Sequence, residues 1–289
     1  MLTQVIVNNF NYARYISNCL ESLLSQDLLP DEIIFVDDGS QDGSIEIAKG
    51  FQDDFKSLKI ICKKNAGQLS TFNVATDFVK DDALVFLMDS DDIYPPDYIS
   101  GVVRRIKPET DVFFATTKKF ELEAPESALT HEQETFFIPK SQSLARLSRP
   151  AWIGNVTSAI VIKGFALKKI LPYPDEQDWV TRADDVIVFA ASLMGMSKQI
   201  DNSIAIGYRQ HGSNAFARKK RTAIQKRHYA RAKNKLISYY CRKAKIFNSL
   251  SLQGIFSEIR YIRCEDMKKF RVPFVVRLVS RLFRHCGSA

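Results

Sequence analysis

Secretory and membrane-crossing signals are missing from this 289-residue chain. Met1-Leu2-Thr3-Gln4 runs straight into the strand-like Val5-Ile6-Val7 with no basic region ahead of it, so no cleaved leader is expected. No apolar run reaches the roughly 20 residues that a helix needs to span a bilayer. Cysteine is scarce: Cys19, Cys62, Cys241, Cys264 and Cys286 are odd in number, scattered and free of any CxxC pair. They read as reduced thiols of a cytoplasmic protein rather than as a disulfide frame. The four histidines form no HxxxH or similar metal spacing. Also absent are G-x-G-x-x-G and G-x-x-x-x-G-K-[ST], which excludes a Rossmann fingerprint and a P-loop NTPase.

An apolar content of 45% is enough for a core and argues against global disorder. The net charge of +8 is unevenly placed: residues 215–289 carry 20 Lys and Arg against 3 Asp and Glu, whereas residues 1–214 carry 21 against 30. An acidic body joined to a basic tail implies two parts with different tasks, the tail meeting something anionic. The expected organisation is therefore a catalytic domain at 1–214 and a basic helical C-terminal extension at 215–289.

Short apolar runs at Val5–Val7, Glu32–Val36, Leu58–Ile61 and Leu84–Met88 alternate with helix-period segments near Tyr15–Leu24, Gly43–Phe55 and Leu69–Phe78. This βαβ rhythm predicts an α/β fold with a mostly parallel central sheet flanked by helices. Further on, a helix near Tyr98–Lys107, a strand at Val112–Ala115, helices at Phe165–Ile170 and Val186–Met196, and a last strand at Ile204–Tyr208 are expected. Residues 120–150, richer in Glu, Ser and Pro, read as an irregular insertion. In Met267–His285 a broad apolar stripe is mixed with arginines, a pattern suited to a helix lying on an anionic bilayer, packing on the body or forming a dimer contact. Nucleic acid is not an expected partner, because aromatics are not interleaved with the basic residues as stacking platforms.

Five polar clusters carry the candidate chemistry. Phe86-Leu87-Met88-Asp89-Ser90-Asp91-Asp92 ends an apolar strand in three carboxylates, where open α/β sheets bind ligands and where a divalent cation makes such crowding tolerable. Val36-Asp37-Asp38-Gly39-Ser40 leaves the second strand with acids able to accept hydrogen bonds from a base or ribose. Asn65-Ala66-Gly67-Gln68 opens a helix whose N-terminus would suit either a diphosphate or simple capping by Asn65 or Ser70, with Lys63 and Lys64 just before it to offset phosphate charge. Thr181-Arg182-Ala183-Asp184-Asp185 places acids in the first turn of an apolar helix, where they either complement its dipole or act as a general base. Tyr208-Arg209-Gln210-His211 adds a histidine that is either a metal or phosphate ligand or a surface residue.

With Thr157-Ser158, these clusters, in this order, resemble the family 2 glycosyltransferases with the GT-A fold; the likeness covers roughly residues 1–214. The resemblance implies an inverting transferase that moves a sugar from a nucleoside-diphosphate sugar, UDP-sugar first, to a carbohydrate or lipid-linked acceptor, using Mg²⁺ or Mn²⁺. It places Asn9 and Phe10 at the nucleotide base, Asp38 at base or ribose, Asp89 beside the ribose, Asp91 on the metal and His211 near the diphosphate or metal. Asp185 falls at the usual base position and Asp184 replaces the customary Glu, which leaves both as candidates for taking the proton. Peripheral attachment at the inner face of the cytoplasmic membrane, through 267–289, is the matching expectation for location. Competing readings are a nucleotidyltransferase, which should carry a glycine- and basic-rich phosphate loop that Val5–Tyr12 lacks, and a non-catalytic nucleotide-sugar binding or scaffold protein.

Overall fold

Residues 1–138, 140, 152–212 and 222–245 are described by the computed structural model. The first half alternates as expected: β1 (Thr3–Asn9), α1 (Ala13–Leu24), β2 (Glu32–Asp37), α2 (Ser44–Gly50), β3 (Leu58–Cys62), α3 (Gln68–Ala75), β4 (Leu84–Asp89) and α4 (Tyr98–Arg105). The second half holds β5 (Val112–Phe120), β6 (Thr135–Ile138), β7 (Ile160–Lys163), α5 (Gly164–Ile170), α6 (Ala183–Leu193), β8 (Lys198–Arg209) and α7 (Ala223–Lys243).

The eight strands of the described residues join one sheet in the order β3-β2-β1-β4-β7-β5-β8-β6. Four of its seven pairings are parallel, and the antiparallel ones all involve β6 or β7. The sheet is thus mixed, with its parallel block at β3-β2-β1-β4. Chain order reverses between β1 and β4, so this pair forms the switch point at which open α/β sheets leave a crevice beyond the strands' carboxyl ends.

Side-chain alternation divides the core into two layers. Val5, Val7, Ile33, Phe35, Phe86 and Met88 face α1 and α4, whereas Ile6, Ile34, Val36, Val85 and Leu87 face α3 and α6. Since both faces of the strands are buried, these runs are apolar throughout, as a covered parallel sheet requires. α6 is apolar on most sides because it too lies inside, with Val186, Ile187, Val188 and Phe189 all buried.

Two expectations are corrected in extent. Residues 120–150 are not simply irregular: β5 continues to Phe120, and Thr135–Ile138 pairs antiparallel with β8, closing that edge. β8 is also longer than Ile204–Tyr208, because pairing with both β5 and β6 draws residues from Lys198 into the ladder. The first expected basic helix is α7, started by a capping box in which Thr222 accepts from the Gln225 amide. It buries Ala232, Leu236 and Tyr240 against the layer containing α6. Among the described residues no helix is long and apolar enough to cross a membrane. The amphipathic segment Met267–His285 lies outside the described residues.

Candidate active site

Parallel register brings the carboxyl ends of β1, β2 and β4 side by side. Asn9 lies opposite Asp37, and Asn8 opposite Asp89. A cleft of about 330 Å³ opens beyond these ends; its walls include Asn8, Phe10, Tyr12, Asp38, Asn65, Gln68, Asp89, Asp91, Asp92, Thr157, Arg182, Asp184 and Tyr208.

The two acids after β2 stabilise the scaffold in different ways. Asp37 is fully buried and accepts from the Asn9 amide and from the Gly39 and Ser40 backbone. Asp38 accepts from Lys63 at 2.5 Å and from the backbone N–H groups of Ala66 and Gly67 at 3.0 and 2.7 Å. The whole 63–67 turn is thereby clamped to β2, one edge of Asp38 remaining on the cleft.

Several residues expected in the donor site are engaged by the protein itself. The Lys63 ammonium is shared by Asp38, the Lys64 carbonyl and the Ser70 hydroxyl. Asn9 is fully buried, bonded to Asp37, Ser40 and Ser90, and holds strands together beneath the cleft floor. Phe10 beside it does reach the cleft. At the N-terminus of α3, the Gln68 amide is already engaged, donating to the Val180 carbonyl at 2.8 Å.

Gln68 instead works through its side chain. Its Nε2 donates to Asp89 at 2.7 Å and to Thr157 at 3.2 Å, while its Oε1 accepts from the backbone N–H groups of Arg182 and Ala183, both at 2.9 Å. One amide therefore ties the strand-end acid to the start of α6. Gly67 makes this approach possible: φ is 94°, and an added Cβ would lie 2.4 Å from the Val180 Cα.

Three carboxylates crowd the end of β4. Asp92 is buried and accepts from Ser158 at 2.5 Å and from the Arg209 amide at 3.0 Å; desolvation, then Asp91 and Asp89, hold its proton far more tightly than an ordinary Asp does. Desolvation also raises Asp89, helped by the charge of Asp91, to about 6, against opposing hydrogen bonds from Asn8 and Gln68. Asp91 meets His211, whose Nε2 lies 2.9 Å from its Oδ2, and the imidazole is stacked on Tyr15 at 4.7 Å between centroids. Among the described residues no group of three or more His, Cys, Asp and Glu stands ready to hold a metal. The Asp91–His211 pair, one oxygen donor and one nitrogen donor, fits a cation such as Mg²⁺ or Mn²⁺ that takes most of its ligands from substrate phosphates and water.

Burial gives Asp184 and Asp185 different surroundings. Asp185 is fully buried and receives Arg182 Nε at 2.5 Å, Arg182 Nη2 at 3.0 Å and the Tyr229 hydroxyl at 2.9 Å. It is not among the residues that line the cleft. Asp184 does line it, and desolvation followed by the charge of Asp185 raises its carboxyl to about 7, with Arg182 pulling the other way. A carboxylate that holds its proton weakly enough to cycle near neutrality suits general base work.

Tyr12, Arg182 and Tyr208 also line the cleft without having been singled out. The last two sat inside quoted clusters, so proximity was the available signal. Tyr229 lay in the basic tail and carried none.

A model of glycosyl transferase family 2 matches residues 4–171. The uncharacterised glycosyltransferase alr2836 of Nostoc is 30% identical over 219 residues, covering 74% of this chain and 66% of that protein. Chondroitin synthase of Pasteurella multocida is 29% identical over 119 residues, covering 41% of this chain and 12% of the synthase. The chain spans about two thirds or less of the length of the curated relatives it matches. In fold, the chain is similar to Staphylococcus aureus TarS 1–349 in complex with UDP-GlcNAc, with a TM-score of 0.59 and 18% identity, covering 91% of this chain and 80% of that one. It is also similar to mannosyltransferase PcManGT of Pyrobaculum calidifontis in complex with GDP-Man and Mn²⁺, with a TM-score of 0.54 and 15% identity, covering 98% and 86%.

Proposed function

This chain belongs to the family 2 glycosyl transferases, and on that premise we propose that it moves a sugar from a nucleoside-diphosphate sugar to an acceptor hydroxyl, inverting the anomeric carbon. One observation carries the reading: Asp38, the Asp89 and Asp91 pair, and Asp184, from three distant stretches of sequence, line a single cleft.

Phe10, Asp38 and Asn65, all lining the cleft, would take the nucleoside, and Asp89 and Asp91 would meet the ribose and diphosphate. Asp91 and His211 would hold Mg²⁺ or Mn²⁺, which supplies stabilisation of the negative charge growing on the departing diphosphate. Asp184 takes the proton of the attacking hydroxyl from the opposite face of the sugar, which makes the displacement inverting. Asp185 serves beneath it as the partner of Arg182. General base catalysis of this kind contributes about 10²–10⁴-fold.

A UDP-sugar is the first donor to test. UDP-GlcNAc in TarS and GDP-Man in PcManGT define the two nucleotide classes that the panel must span. Chondroitin synthase and the cholesterol galactosyltransferase of Borreliella burgdorferi, another relative, support a polysaccharide or glycolipid acceptor. The arginine-rich segment 267–289 would hold such an enzyme at the anionic inner face of the cytoplasmic membrane. Equal binding of full-length and 1–266 chains to anionic liposomes would remove that part of the proposal.

The deciding experiment measures binding, hydrolysis and transfer across UDP-, dTDP- and GDP-sugars with Mn²⁺ or Mg²⁺. Wild type is expected to bind one class and turn it over, while Asp184→Asn binds it equally and transfers about 10²–10⁴-fold more slowly. Transfer retained at the wild-type rate by Asp184→Asn would overturn the base assignment, and no binding of any class would overturn the whole reading.

A further inference from the structure

Helix α7 lies beyond the stretch matched by the family model, yet it reaches the acids behind the cleft. The Tyr229 hydroxyl donates to Asp185 Oδ2 at 2.9 Å, and the Tyr229 ring lies under the Arg182 guanidinium, 5.1 Å from its centroid. Tyr229 therefore touches both members of the Arg182–Asp185 ion pair. Its ring is held in turn by Trp179, edge to face at 5.9 Å.

We propose that Tyr229 is a positioning residue for sugar transfer, bracing the Arg182–Asp185 pair so that Asp184 is presented to the cleft. The proposal rests on the reading of Asp184 as the base. Its logic is helical geometry: successive residues on a helix point about 100° apart, so fixing Asp185 inward determines where Asp184 points. Arg182, the residue just before α6, has a left-handed backbone with φ of 88°, which a side-chain-bearing residue keeps only when its surroundings enforce it. The enforcement is visible: its amide donates to Gln68, its guanidinium pairs with Asp185, and its flat face covers Tyr229. Removing the hydroxyl leaves Asp185 Oδ2 with a single described donor, Arg182 Nε. Other ionisable groups acting on this corner are Asp89 from β4, Tyr208 from β8 and Lys233 from α7, the last through Asp185.

Tyr229→Phe keeps the ring and deletes only the hydroxyl, which makes it the informative variant; Tyr229→Ala removes both contacts. The first arm does not need turnover. Backbone amide exchange at Arg182 and Ala183, the two donors to Gln68, is expected to quicken about tenfold in Tyr229→Phe and further in Tyr229→Ala, as for the loss of one hydrogen bond's support. Unchanged exchange overturns the brace, whatever the fate of the transferase reading. The second arm uses the donor that wild type turns over: Tyr229→Phe should lower kcat about tenfold while donor KM and UDP affinity stay at wild-type values. A drop shared with UDP affinity, or wild-type kcat, would show that Tyr229 only packs the helix and would overturn the proposal. Wild type inactive on every donor counts against the transferase reading alone.

Discussion

His211 Nε2 stands 2.9 Å from Asp91 Oδ2, joining the end of β8 to the end of β4 across 120 residues of sequence. The ring is gripped by Tyr15 from α1, so the donor pair is set by three separate elements. Each of the two side chains alone is ambiguous; placed together, with Asp91 on the cleft wall, they form the oxygen and nitrogen donor pair on which the proposed cation site rests.

Losing an outer-shell partner of a metal ligand costs roughly 10–100-fold in affinity, so losing a ligand should cost at least that. Asp91→Ala is expected to abolish the Mn²⁺-dependent part of UDP binding, and His211→Ala to weaken it by about 10–100-fold. Calorimetry with and without Mn²⁺ checks both. Equal metal-dependent binding in Asp91→Ala would refute the metal role.

Asp184 and Asp185 should separate cleanly when each is changed to Asn. Asp184→Asn is expected to lose about 10²–10⁴-fold in transfer with its fold intact. Asp185→Asn leaves the mostly buried Arg182 guanidinium without its counter-charge. Breaking a buried pair costs about 3–5 kcal/mol; with Arg182 21% exposed, about 2–3 kcal/mol of lost stability is expected. Thermal melts alongside transfer assays give the comparison.

The acid limb of kcat/KM should fall as pH drops through about 7, because Asp184 must be deprotonated to act and burial raises it to about 7. The same shift predicts a stability effect of definite sign. Between about 4 and 7 the folded chain keeps a proton on Asp184 that the unfolded chain, near 3.8, gives up. Folding therefore binds a proton in that window, and the contribution of this group to stability declines as pH rises through it. Asp184→Asn should consequently raise the melting temperature relative to wild type at pH 8 and hardly at pH 3.

Gly67→Ala should be damaging for a single added methyl. With φ 94° and ψ 170°, Gly67 occupies backbone space that costs other residues about 1–3 kcal/mol. Contact with Val180 adds to this and pushes the turn away from the start of α6. A lower melting temperature together with weaker UDP binding is expected, since Gln68 can no longer tie Asp89 to Arg182 and Ala183. Wild-type UDP affinity in this variant would break the link between the turn and the site.

Much of this molecule is legible from residue order. Strands such as Leu84–Asp89 read clearly because burial on both faces demands unbroken apolar runs, and the acids at their ends mark where the core stops. α6 likewise declares itself by the apolar residues after Asp185. The short Thr135–Ile138 strand does not, since its stability comes from the neighbouring β8 and not from its own four residues.

Sequence alone determined the alternating architecture and the identity of the acidic clusters, because periodicity and strand-end polarity are local properties. Tertiary structure alone decided which groups are spent on holding the fold and which face the cleft. Lys63 and Asn9 look available in the chain but are consumed by Asp38 and Asp37. Asp184 and Asp185 are adjacent and chemically identical, and the arrival of Arg182 and Tyr229 on one of them gives the two different surroundings. Hydrogen bonding and desolvation depend on what comes from elsewhere in the chain, and no spacing of residues along it encodes that directly.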